Sequence, residues 1–473
     1  MRYISTRGHP DRLSFNDVLL AGLAPDGGLY VPEEYPQLSA KDLEDMRSWS
    51  YHKICHFVSR RFIGKDIKAS DLWSIIERSY DSRLFGSTDI TPIQPIARDF
   101  GLLKLSNGPT LAFKDIALQY LANLMDHVLQ ERDEHLNILG ATSGDTGSAA
   151  EEAVRGLERL RIFMLSPHGR MSEFQKMQMY RIHDPRVFNL VPDGNFDDCQ
   201  AAVKLVNKDA DFKEEYSIGA VNSINWARIM AQVVYYVYAY TRTVGNDYGR
   251  LTVSVPSGNF GNALAAYVAG RMGIKIRVLV ATNENDVLHD FFWNGQYRTR
   301  KGDEVVKTQS PSMDIASASN FERLMFDQVG RNASHLVQLW KQLGQTGEFS
   351  WKMNLDRLGG IRFQSGSATD AEVQETIKHL FGKSRLVIDP HTAVALKVAW
   401  DQFDGNGLGP WLIAETAQPA KFSEAIEQAI GFQMPIPEAC RRLIDVEDKI
   451  ERITETDPHV IADEVKGFIS VNT

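Results

Sequence analysis

Gly108-Pro-Thr-Leu-Ala-Phe-Lys-Asp115 sets one lysine at the head of an amphipathic helical pattern. Thr142-Ser-Gly-Asp-Thr-Gly147 follows the next apolar run. A helix-start lysine is ordinarily solvated, but Leu111, Ala112 and Phe113 make this one's approach apolar. Apolar surroundings disfavour an ammonium, and the free amine is the form that attacks an aldehyde. Asp115 stands where a helix N-terminus favours an acid. One amine beside loops rich in backbone donors suits a pyridoxal phosphate (PLP) enzyme, in which a lysine carries the cofactor as a Schiff base.

A second loop supplies the complementary property. Ser257-Gly-Asn-Phe-Gly-Asn262 follows the apolar run Leu251–Val255 and opens a helix near Asn262. Backbone N–H groups at such a turn, with the helix N-terminus behind them, make an anion site, and phosphate is the natural guest. An ordinary tight turn has the same look, and the loop lacks both the G-x-G-x-x-G spacing and a Walker lysine. The Thr142–Gly147 loop could hold a carboxylate or a second phosphate, or could serve as a helix N-cap. The twelve histidines are dispersed; His289, His379 and His391 show no metal-site spacing and are read as structural. No metal site and no G-x-S-x-G nucleophile motif is expected.

These loops need an α/β frame. Short apolar strands fit Leu136–Ala141, Arg161–Leu165, Val187–Val191, Ile218–Val221, Leu251–Val255, Ile276–Ala281, Leu386–Ile388 and Trp411–Ala414. Helices fit between most of them: Asp115–Gln130, Ser148–Gly156, Phe196–Asn207, Trp226–Tyr240 and Asn262–Met272. The alternation predicts parallel sheets with ligands at the carboxyl ends of strands. Residues 1–88 read as a mainly helical module with a short strand at Leu29–Val31. Residues 89–430 read as a catalytic region of two α/β domains, 295–320 as a long connection, and 431–473 as a helical segment packed outside.

The 473 residues are enough for two or three domains with sizeable cores. A net charge of −9 argues against nonspecific nucleic-acid binding, so any anion site must be built locally. No apolar run approaches a membrane span, and Met1–Arg7 lacks the apolar core of a signal peptide. Three scattered cysteines give no disulfide framework. A cytoplasmic protein without membrane or nucleic-acid partners is expected.

Five motifs taken together resemble the threonine synthase family, most closely its bacterial and fungal branch. They are Gly108–Asp115, Thr142–Gly147, Val221-Asn-Ser-Ile-Asn-Trp-Ala-Arg228, Val255-Pro-Ser-Gly-Asn-Phe-Gly-Asn262 and Ala281-Thr-Asn-Glu-Asn-Asp286. Ser5–Gly8 and Leu19–Pro32 resemble that branch's N-terminal domain. The resemblance implies PLP fold type II, similar to the tryptophan synthase β chain: two α/β domains with the cofactor between them, plus the N-terminal domain. By position, Lys114 would carry the cofactor; Gly258, Asn259, Phe260, Gly261 and Asn262 would cradle its phosphate; and Thr416 would meet its ring nitrogen. Ser143, Asp145 and Thr146 would face the substrate, with Asn225 and Arg228 as further contacts for its phosphate. The implied reaction converts O-phospho-L-homoserine and water to L-threonine and phosphate, in a monomer or homodimer.

Two positions depart from the family pattern. Gln418 stands where many relatives carry His, which is read as tuning the pocket. Lys104 stands where an acid is common, and is read as an exposed strand residue rather than a cleft-lining cation. Other type II PLP lyases share the lysine and the phosphate loop, so a serine or threonine dehydratase, or a phospho-amino-acid lyase, stays open as an alternative. A noncatalytic ligand-binding paralogue is the alternative from a different class.

Overall fold

Strands buried on both faces organise the molecule, a computed structural model describing residues 1–142, 144–219, 223–244, 249–405 and 409–473. Leu251–Pro256 and Trp411–Glu415 are buried at every position, as their unbroken apolar runs require of central parallel strands. They lie side by side in a six-stranded sheet. Its spatial order is Arg362–Ser367, Ile276–Thr282, Leu251–Pro256, Trp411–Glu415, Phe100–Lys104 and Ile93–Pro95. Only the last strand is antiparallel.

A second sheet, parallel throughout, has the order Glu451–Ile453, Val187–Pro192, Leu160–Leu165, Leu136–Ala141 and Ile218–Gly219. The α/β class, with one mainly parallel and one wholly parallel sheet, is therefore observed. Each fully buried Val, Leu or Ile in these sheets contributes about 1.5–3 kcal/mol of hydrophobic stabilisation.

Several sequence expectations need correction. Leu386–Ile388 is not a strand. It links helix Asp370–Ser384, which ends on Arg385 in the left-handed region, to helix Pro390–Gln402, which Asp389 caps. Pro390 at the first helical position and the short link leave no length for pairing. Of Ile218–Val221, only Ile218–Gly219 lies within the described residues as strand. Phe100–Lys104 and Arg362–Ser367 are strands that the apolar pattern did not reveal. The first is interrupted by Gly101, and the second is polar because it forms the sheet edge. The final segment is not only helical: Glu451–Ile453 adds a strand to the second sheet.

Helix Lys114–Arg132 is likewise not amphipathic in place. Every residue from Asp115 to Met125 is buried. It packs against helices Asp145–Val154, Trp226–Thr243 and Ala69–Ser79, so it has partners on several sides. The N-terminal module supplies one of them. Its strands Tyr3–Ser5 and Tyr30–Pro32 pair antiparallel, and its helices share one continuous core with the sheet-bearing body. Fully buried Arg323 joins the two by donating to the carbonyls of Tyr30 (3.0 Å) and Ile224 (2.6 Å).

Candidate active site

Lys114 is the first residue of its helix, and its side chain is 13 % exposed. The segment before it is fixed at the carboxyl end of strand Trp411–Glu415. Phe113 N donates to Thr416 O at 2.9 Å, and Gln418 N donates to Leu111 O at 3.0 Å. Asp115 stabilises the turn from inside, accepting from Thr110 N (2.9 Å) and Thr110 Oγ1 (2.6 Å). A Cβ on Gly108 would stand 2.4 Å from Asp115 Cβ, so only glycine lets this turn close. Burial raises the Asp115 carboxyl to about 6 against its Thr110 hydrogen bonds.

The Lys114 amine sits among charges. Asp145, first in its helix, places Oδ2 3.7 Å from Lys114 Nζ. Its other oxygen, Oδ1, lies 3.1 Å from Lys421 Nζ. Burial raises the Asp145 carboxyl, but the ammoniums of Lys421 and Lys114 prevail and hold it far below the usual carboxylate range. Burial lowers Lys114 from an ordinary lysine; Asp145 opposes the shift, and Lys421 and Arg228 add to it. The net effect favours the free amine.

The 295–320 connection proves to be more than a linker. Lys114 Nζ donates to Ser312 Oγ at 3.3 Å, and that hydroxyl donates to Asp145 Oδ2 at 3.4 Å. Ser312 N donates to His391 Nε2 (3.2 Å), whose Nδ1 is 2.9 Å from buried Asp389 Oδ1. The Ala281–Asp286 motif holds this segment down, with Asn283 and Asn285 each bonding Asp314. Sequence reasoning missed Ser312 and Lys421 because neither lies in a Gly-punctuated loop. His391, read as structural, orients Ser312 through its backbone.

The Ser257–Asn262 loop lies directly against Ser312. A Cβ on Gly258 would meet Ser312 O at 2.6 Å, which requires glycine there. Phe260 adopts φ 63°, the left-handed region that costs a side-chain-bearing residue roughly 1–2 kcal/mol. Its ring packs on Phe321, Phe292 and Phe363, and this offsets the strain. Gly261 then starts the helix that runs to Arg271. Asn259 O accepts from Asn320 N at 3.1 Å. Asn262 Oδ1 accepts from Tyr235 (2.5 Å) and Tyr236 (2.6 Å), leaving buried Nδ2 without a protein partner, as is Ser257 Oγ.

Arg228 is buried beside this cluster with Nε and Nη1 unpartnered, and burial pushes it down to about 10. Such orphaned donors in an interior are rare unless an anion completes them. Asn225 differs: Oδ1 caps its helix at Ala227 N (3.0 Å), and Nδ2 donates to Leu19 O (2.9 Å), so both ends of its amide are engaged. Thr416 is 6 % exposed beside the lysine segment, and Thr146 is half-buried on the first turn after Asp145. Ser143 lies outside the described residues.

Lys104 is not an exposed strand residue. Its ammonium is 3.4 Å from Glu415 Oε1, and Glu415 is buried and raised to about 7 by that burial. Gln418 donates to Ser106 Oγ at 2.9 Å, and Ser106 donates to Glu415 Oε2 at 2.9 Å. A cavity of about 800 Å³ opens next to the site, with Phe174, Met177, Lys421 and Phe422 in its wall.

Family profiles described as "Threonine synthase N terminus", "Pyridoxal-phosphate dependent enzyme" and "Threonine synthase, C-terminal" match residues 2–80, 82–414 and 392–469. A threonine synthase of Methylobacillus glycogenes is 46% identical over 98% of each chain. One of Corynebacterium glutamicum is 45% identical over 99% of this chain and 98% of that one. The chain belongs to the threonine synthase family. The crystal structure of a PLP-bound threonine synthase from Brucella melitensis has a TM-score of 0.93, 40% identity and 99% coverage of both chains. The yeast threonine synthase has a TM-score of 0.91 at 34% identity, again over 99% of both chains.

Membership makes the protein a PLP-dependent lyase of threonine biosynthesis that acts on a small molecule. The threonine synthase fold places the lysine and the orphaned donors in one cluster, and their chemistry fits an anionic cofactor: an amine for its aldehyde, and unpartnered buried N–H and O–H groups for its phosphate. No helix among the described residues is long and apolar enough to cross a membrane.

Proposed function

We propose that this protein converts O-phospho-L-homoserine and water to L-threonine and phosphate at the Lys114 site. One observation carries the reading: a buried lysine of lowered basicity shares its cluster with cationic and amide donors that lack protein partners. A phosphorylated substrate on a phosphorylated cofactor supplies two anions for such donors. In this reading Gly258, Asn259, Phe260, Gly261 and Asn262 hold the cofactor phosphate and Thr416 meets its ring nitrogen. Arg228 receives the substrate phosphate. Ser143, Asp145 and Thr146 line the substrate side, while Asn225 serves as the cap that aims the Arg228 helix.

When bound, the cofactor supplies a conjugated electron sink for charge developing at the substrate's Cα. Lys114 removes the Cα proton, since an uncharged amine held against that carbon is a general base. A second proton leaves Cβ as the phosphate leaves Cγ toward Arg228, and it is matched by one taken up at Cγ, which becomes a methyl group. Water adds its hydroxyl at Cβ and gives its remaining proton to the departed phosphate, and Lys114 returns a proton to Cα. Ser312 and Asp145 keep its Nζ aimed between these steps. The protein acts in the cytoplasm as a monomer or homodimer.

The test is product analysis of purified protein with PLP and O-phospho-L-homoserine. Equal release of threonine and phosphate is expected. Phosphate with an oxo acid would replace the assignment by a lyase of the same fold, and neither product from a PLP-loaded protein would replace the substrate.

A further inference from the structure

A second lysine lies buried against the first one's counter-ion, and none of the motifs that define the site includes it. Lys421 is 0 % exposed at its side chain, in the turn Pro419–Phe422 that follows strand Trp411–Glu415. Its ammonium donates to Thr110 O at 2.9 Å and Gln178 Oε1 at 2.5 Å, and it stands 3.1 Å from Asp145 Oδ1 as an ion pair. All three of these oxygens belong to the protein, and the side chain is closed off from solvent. This separates Lys421 from Arg228, whose Nε and Nη1 are unpartnered. Lys421 is a cation of the framework, not an anion receptor.

Its three partners come from three structural units. Thr110 belongs to the turn that leads into Lys114, Asp145 starts the helix behind the Thr142 loop, and Gln178 lies on helix Glu173–Tyr180. Gln178 also donates to Thr110 O at 3.0 Å, which closes the ring of contacts. We propose that Lys421 is a positioning residue for Lys114, a buried strut that fixes Asp145 against the reactive amine and offsets its charge. This rests on the reading of Lys114 as the amine that bonds the cofactor.

The electrostatic consequence has a definite sign. The groups facing Lys114 are Asp145, Lys421, Arg228 and the Ser312 hydroxyl, with His391 beyond Ser312. Asp145 stabilises the Lys114 ammonium, while Lys421 and Arg228 disfavour it. With Lys421 present, the carboxylate is shared between two ammoniums. Without it, Asp145 would serve Lys114 alone and hold its proton more tightly. A raised Lys114 basicity means that the free amine appears only at higher pH.

The experiment needs no substrate. Apoprotein is mixed with PLP across a range of pH. The rate of covalent attachment is followed by the cofactor's visible absorbance, and borohydride reduction with peptide mapping confirms that Lys114 carries the label. For Lys421→Met the pH midpoint of attachment should rise by about one unit, a roughly tenfold slowing at fixed pH below the midpoint. Lys421→Arg should restore most of the wild-type midpoint, because it keeps the charge. Asp145→Asn should move the midpoint the opposite way, downward, and it keeps the proposal testable if Lys421→Met does not fold.

A Lys421→Met protein that loses only thermal stability, with an unmoved midpoint, would reduce Lys421 to an ordinary buried pair. So would an unmoved midpoint in Asp145→Asn. Attachment at a lysine other than Lys114 would instead remove the reading on which the inference rests. Failure of the substrate assignment would leave all of these midpoints where they are.

Discussion

The two strand–turn–helix loops of the site share a vocabulary of Gly, Ser, Thr, Asn and Asp, yet they end differently. In the loop ending at Gly147, Thr142 Oγ1 accepts from Gly144 N at 3.0 Å and Gly147 N at 2.9 Å, and Asp145 forms ion pairs with two lysines. In Ser257–Asn262 the donors stay open, with Ser257 Oγ and Asn262 Nδ2 buried and unpartnered. The first ties its backbone to its own hydroxyl, and the second keeps donors unspent. The same residue types bond among themselves after one sheet and leave donors open after the other, and the hydrogen-bond inventory separates them.

Lys114→Ala would break both halves of this comparison at once, by removing the group they jointly serve. Covalent cofactor attachment and turnover should both fall below detection, read by visible absorbance and threonine release. Gly258→Ala would test the receptor loop alone: a methyl 2.6 Å from Ser312 O must displace that segment. PLP affinity should drop by at least about tenfold, roughly 1.4 kcal/mol, in equilibrium binding. Asn262→Ala removes one open donor and should weaken PLP retention by a smaller factor, about 1 kcal/mol, measured on dialysis. Thr142→Val would sharpen the contrast from the scaffold side. It should cost about 1–2 kcal/mol in urea unfolding by leaving two N–H groups uncapped, with little change in PLP affinity.

Much of this was legible in the chain. The lysine, both loops and most central strands follow from apolar runs bounded by Gly, Ser and Asn, because a buried parallel strand and a tight turn each demand narrow residue sets. What escaped was long-range. Ser312 reaches Lys114 from a polar segment without periodicity, held by Asn283 and Asn285 through side-chain bonds that no local pattern encodes. Lys421 is hidden for the converse reason: a lone lysine after Pro419 reads as a solvated turn until its three partners are seen together. Asn225 shows the converse, a residue expected at the substrate phosphate whose amide also bonds a helix cap and Leu19 O. Lys104 was misjudged because its partner, Glu415, is adjacent only through strand pairing.

The edge strand Glu451–Ile453 sets an order on the birth of the molecule. Its neighbours Leu136–Ala141, Leu160–Leu165 and Val187–Pro192 leave the ribosome long before it does. So do Leu139, Phe163 and Cys199, whose apolar cluster is completed by Ile453, Ile461, Val465 and Ile469 of the last segment. Until residues 451–469 are made, the nascent chain carries a sheet with one unpaired margin and one bare apolar face, the two features that invite misassociation. Synthesis of that segment is therefore the event that seals this half of the molecule. A stop codon before Glu451 would leave Lys114 in place on a protein with this face exposed.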